Sequence, residues 1–141
     1  MAWQRAEQFL DAQDRVWTQV VAELTAGRKT GHWMWFVFPQ LAALGRSQTA
    51  QRFGLSGPDE AAAYLGDARL RARLVQAARL VLTHPGKDAA DILGSIDALK
   101  LRSSMTLFSA VPGADPAFGQ VIDSFYDGVP CPLTRAELGR G

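Results

Sequence analysis

A single cysteine, Cys131, stands in the 141 residues, so an internal disulfide and a multi-thiolate metal site are both excluded. Two histidines accompany it, His32 and His84, far apart in the chain and without H-E-x-x-H spacing. The expectation is therefore no metal and no cofactor. Long apolar runs are missing as well: none reaches the roughly 18 residues needed to cross a bilayer. No N-terminal stretch reads as a cleavable signal, so the expectation is a cytoplasmic chain with no membrane partner. An excess of one charge is also absent, with 15 Lys and Arg against 14 Asp and Glu and a net charge of +1. That balance disfavours a generally basic nucleic-acid binder.

What is present suits one folded domain over residues 1–141. Hydrophobic residues make up 48% of the chain. A globule of this length removes about 68% of its unfolded surface from water, enough for a core. The first segment is the most periodic: Ala6, Phe9, Leu10, Gln13, Val16, Trp17, Val20, Val21 and Leu24 recur at helical steps. Arg5, Glu7, Asp11, Arg15, Gln19 and Glu23 fall off that face, and Gly27 suits a left-handed helix end. The pattern predicts one helix over 3–26.

Further helices follow from their caps. Ser47 caps a short helix to about residue 52, Ser56-Gly57-Pro58-Asp59 reads as a capping box, and Asp67 starts a longer helix stopped by His84-Pro85-Gly86. Asp88 opens a short helix ending at Gly94. Asp97 leads a stretch carrying Leu101, Met105 and Phe108, and Asp115-Pro116 opens a helix ended by Gly128. Thr134-Arg135-Ala136-Glu137 fits a terminal capping box. The expected fold is mainly α: a compact single-domain bundle of six or seven helices without internal repeats.

Two segments carry polar residues that need explaining. From Arg28 to Gln40 the chain packs two Trp and two Phe into the six residues Trp33 to Phe38, closed by Pro39. It reads as an irregular aromatic passage through the core. Its polar ends, His32 and Gln40, either close backbone hydrogen bonds around the core segment or border a small-molecule pocket walled by Trp33 and Trp35. The second segment, Asp97 to Thr106, sets Lys100 and Arg102 beside Ser103 and Ser104, as a phosphate or carboxylate site requires. The plainer alternative is a solvated face with serines bonded to carbonyls one turn earlier. The arginines at 69, 71, 73 and 79 read as a solvated strip and His84 as incidental. Cys131, between two prolines, reads as a loop residue with no base nearby.

The strings Gly27-Arg28-Lys29-x-x-His32-Trp33-Met34-Trp35-Phe36-Val37-Phe38-Pro39-Gln40-Leu41 and Asp97-x-Leu99-Lys100-Leu101-Arg102-Ser103-Ser104-Met105-Thr106-Leu107-Phe108 closely resemble the signature of a bacterial and fungal family, domain of unknown function 1810. The resemblance covers nearly the whole chain and implies a compact, mainly α-helical domain with no established activity. It would also place an acidic residue where this chain has Cys131. A looser likeness of character links the chain to the NADAR class, associated with ADP-ribose chemistry. The leading expectation is a small anionic metabolite, nucleotide- or ADP-ribose-like, held between the two segments. Lys29, Trp33, Trp35, Gln40, Lys100, Arg102, Ser103 and Ser104 would bind it. His32 is the catalytic candidate if the ligand is hydrolysed. The alternative is a non-enzymatic interaction or regulatory module with an exposed aromatic patch.

Overall fold

The helix predicted over 3–26 is interrupted in the computed structural model, which describes residues 3–140. α1 (Ala6–Asp14) ends where the Val16 N–H bonds Gln13 O, three residues back, at 3.0 Å, and α2 (Trp17–Ala26) starts afresh. Gln13 fixes the break: its buried amide donates to Phe36 O (2.7 Å) and the Tyr64 hydroxyl (3.1 Å), tying the end of α1 into the core. The register therefore resets, and Glu23, expected off the apolar face, is buried.

The aromatic segment is largely irregular, as expected, but Met34–Val37 winds into a single helical turn, α3. Trp33, Met34, Val37 and Phe38 are buried, while Trp35 and Phe36 are half-buried. A 3-10 turn (Ala42–Leu44) follows, then α4 (Gln48–Phe53), α5 (Pro58–Gly66) and α6 (Ala68–Leu82). The rest comprises α7 (Ala89–Leu93), α8 (Ser95–Ser109), α9 (Pro116–Phe125) and α10 (Pro132–Arg140). Ten α-helices thus stand among the described residues where six or seven are expected. The excess arises from the break at Val16, the one-turn α3 and several short capped helices. The extended backbone among them is an isolated bridge between Leu41 and Leu55.

Most caps follow the sequence. Ser47 accepts the Ala50 N–H at 3.0 Å, Asp67 accepts those of Arg69 and Leu70, and Asp115 that of Ala117. Two do not. Gly57, not Ser56, is the cap of α5, and the Glu60 carboxylate instead accepts the Ser56 N–H at 2.9 Å. α10 begins two residues before Thr134, so Thr134 lies in its first turn and Cys131 precedes it.

α8 is the central helix, packed against α5, α7, α9 and α10, while α6 packs on α2, α5 and α9. A chain of rings crosses the core from α1 to α9: Phe9–Tyr64 at 5.3 Å, Tyr64–Phe108 at 5.2 Å and Phe108–Phe118 at 6.1 Å. The predicted basic strip is paired: Arg69 with Glu7, Arg73 with Asp14 and Arg79 with Asp115, while Arg71 donates to Leu65 O.

His84 is not incidental. Its Nε2 lies 2.6 Å from Leu24 O at the end of α2, where Gly27 turns the chain at φ +71°. A Cβ at Gly27 would sit 2.9 Å from the His84 ring. Gly27→Ala therefore combines left-handed strain with loss of this tie. It should lower stability by about 1–2 kcal/mol, read as a lower urea midpoint at unchanged slope.

Candidate functional site

The stretch 28–33 is organised by one carboxylate. Glu23 Oε1 accepts the Thr30 N–H (2.8 Å), the Gly31 N–H (2.9 Å) and the Trp33 indole N–H (3.0 Å), and Gln19 Nε2 donates to Oε2 at 2.6 Å. Burial by itself raises the Glu23 pKa, but these four donors outweigh it and hold the carboxyl down at about 2. Gly31 permits the approach, since a Cβ there would fall 2.4 Å from Gln19 Nε2. Trp33 is thereby committed to the core, with its one donor spent on Glu23, and is not a stacking surface.

The two signature segments meet at Asp97. Lys29 Nζ lies 2.7 Å from Asp97 Oδ2 and Lys100 Nζ lies 3.1 Å from Oδ1. Lys29 also donates to Gly31 O and stands 5.1 Å from the Trp33 ring centre, and its backbone N–H bonds Ile92 O. Lys100 sits over Trp35, 3.7 Å from the ring centre. Burial alone would raise the Asp97 pKa. The two ammonium groups prevail and hold it below the ordinary carboxylate value. Asp97 belongs to the second signature string, yet as a site residue it escapes sequence reasoning.

The remaining predicted residues separate from this cluster. Arg102, two positions beyond Lys100 and so about 200° round the helix, turns away. Its Nε donates to Val129 O at 2.9 Å and its guanidinium lies over Tyr126. Ser103 Oγ donates to Cys131 Sγ at 3.3 Å, and Cys131 N–H donates to Thr106 Oγ1 at 2.9 Å. Burial raises the Cys131 pKa, but the Ser103 hydroxyl and the N–H groups opening α10 overcome it, and the thiol is held below its usual value. Cys131 is thus an acceptor at the start of α10, the position an acidic cap would take, and not a free loop residue. Ser104 Oγ is fully buried without a hydrogen-bond partner among the described residues. His32 is exposed and Gln40 half-buried, and neither side chain has a hydrogen-bond partner among the described residues.

Cavities among the described residues include four of about 640, 570, 440 and 230 Å³. The largest lies between α8, α9 and α10 and the next on the outer face of α6. The third lies at Val111–Asp115 and the smallest between Leu41 and Pro58. None of the four is lined by Lys29, Trp33, Trp35 or Lys100, so the Asp97 cluster is a half-buried surface feature and not the wall of one of these cavities.

A family profile described as "Protein of unknown function (DUF1810)" matches residues 4–138. No curated protein matches the chain. Among solved structures, the conserved hypothetical protein Rv1873 from Mycobacterium tuberculosis is similar at 44% identity and a TM-score of 0.93, with 96% of each chain covered.

Glu23→Gln keeps the shape of the side chain but removes its charge and sets an amide N–H₂ against these donors. It should destabilise the fold by about 2 kcal/mol. With the folded pKa near 2 and the ordinary value 4.5, the carboxylate's stabilisation is complete above about 4.5 and is lost as pH falls toward 2. Acid unfolding of the wild type followed by tryptophan fluorescence should show that loss, and Glu23→Gln should flatten it.

Proposed function

The chain belongs to the DUF1810 family of proteins of unknown function, and we propose from its site that it binds a small anionic ligand of the nucleotide or ADP-ribose class where Lys29, Trp35 and Lys100 gather round Asp97. One observation carries the reading: two lysines share a single carboxylate. The cluster holds one positive charge in excess, and the three side chains are only 7%, 18% and 18% exposed. Screening by water is reduced there, so the excess charge is felt more strongly than on an open surface. Lys29 is saturated by Asp97, Gly31 O and the Trp33 ring. Lys100 spends one N–H on Asp97 and retains donors for an incoming phosphate oxygen, with the Trp35 indole beneath it. A phosphate bearing close to two negative charges competes for Lys100 better than one carboxylate does.

Neither serine hydrogen-bonds to His32 among the described residues, so the reading is one of binding without a hydrolytic step. A second reading, a non-enzymatic interaction module, rests on Ile96 and Leu99. They are 71% and 64% exposed, one turn apart on α8 and flanking Asp97.

Titration calorimetry with ATP, ADP and ADP-ribose at low salt tests the first reading. Lys100→Ala should weaken binding about tenfold, as expected for one charge-assisted hydrogen bond, while Arg102→Ala, whose guanidinium faces Val129, should not. Absence of binding to every phosphate ligand, or equal effects of the two substitutions, overturns the reading.

A further inference from the structure

We propose that the groove between α8, α9 and α10 is a separate binding site for an amino-acid-class zwitterion with an apolar side chain. At about 640 Å³ it falls in the range of small-molecule sites. Ala110, Ile122 and Leu138 give it an apolar lining, and Asp123 and Arg135 bring one charge of each sign to the same space. Among the described residues the Asp123 carboxylate and the Arg135 guanidinium have no ion pair with each other or with any other group. The charged groups bordering the other three cavities have partners: Asp115 pairs with Arg79, Arg71 donates to Leu65 O, and Glu137 has a contact of its own.

An exposed cation and an exposed anion, unpaired among the described residues and lining one groove of mixed polar and apolar character, select a guest with both charges. Its carboxylate meets Arg135, its ammonium meets Asp123, and its side chain covers Ile122 and Leu138. A simple acid or amine satisfies one end and leaves the other charge without a partner. Gly119, on α9, leaves the groove its room: a Cβ added there would meet nothing within 4 Å.

The test is calorimetric titration with L-leucine, against 4-methylpentanoate (no ammonium) and 3-methylbutylamine (no carboxylate). L-leucine should bind at millimolar concentration or below, and each half-ligand about tenfold more weakly. Asp123→Asn and Arg135→Gln should each cost about the same factor. Gly119→Leu fills the groove and replaces a helical glycine. It should abolish binding while the melting temperature holds or rises, which separates occlusion from misfolding. Lys100→Ala, at the other cluster, should leave L-leucine binding unchanged. No L-leucine binding in the millimolar range, half-ligands equal to the amino acid, or Gly119→Leu binding like the wild type would each overturn the proposal.

Discussion

A buried carboxylate on which three donors from one loop converge is the constraint on which the placement of residues 29–35 depends. Glu23 Oε1 takes the N–H groups of Thr30 and Gly31 and the indole of Trp33, while Gln19 braces the second oxygen. A loop of this composition has no sheet to join and few helical hydrogen bonds of its own, so its backbone donors must be met from outside. One anion meets them together, and it brings Trp33 into the core with its indole N–H already satisfied. The charge matters because hydrogen bonds to an ionised acceptor are roughly twice as strong as neutral ones. Once residues 30–33 are fixed, α3 starts at Met34 and the positions of Lys29 and Trp35 on either side are set.

That placement explains how segments some sixty residues apart in sequence come to share a face. Lys29 leaves the Glu23-bound loop toward the start of α8, where Asp97 stands in the first turn, a favoured place for a carboxylate on a helix. Lys100, one turn on, reaches the other oxygen of the same group and closes over Trp35. Two cations near one another repel. Here the shared carboxylate and the indole face reduce that cost without cancelling the second charge. Breaking such a partly buried pair leaves an uncompensated charge, which is why Asp97 is a structural joint as well as part of a charged surface.

Legibility in the sequence followed the range of the interaction. Caps at Ser47, Asp67 and Asp115 were readable because a cap bonds its own backbone two or three residues on. The break at Val16 was not, because its cause is Gln13 reaching Phe36 and Tyr64 from across the core. Missing that break placed Glu23 among the solvent-facing residues. The spacing Val20, Glu23, Leu24, Gly27 is nevertheless the stripe of a helix restarted at Trp17, and it puts the acid on the buried side. Lys29, Trp35 and Lys100 are three of the eight ligand-binding candidates, and the fold brings these three together at Asp97. Asp97 is not legible as the lysines' common partner because Lys29, 68 residues away, reaches it only through the fold. Arg102 stands beside Lys100 in the chain but the 100° step per residue turns it away, whereas Ser103, at i+3, spends its hydroxyl on Cys131.

The division of labour among the aromatics follows from these facts. A tryptophan-dense string invites the reading of a stacking platform, yet a fully buried indole must bond its N–H, and the group that does so also fixes its plane. Trp33 meets this condition through Glu23 and becomes a strut. Trp35 emerges half-buried and carries Lys100 on its face. Trp33 caps α3 and Trp35 lies within it, and the two face different ways: Trp33 is buried and Trp35 half-buried. One signature string therefore builds the scaffold and the charged surface at once, with Trp33 anchoring the loop that aims Lys29 and Trp35 seating the ammonium of Lys100. A substitution at Trp33 would thus disturb the surface through the loop, whereas one at Trp35 would reach it directly and leave the Glu23 network intact.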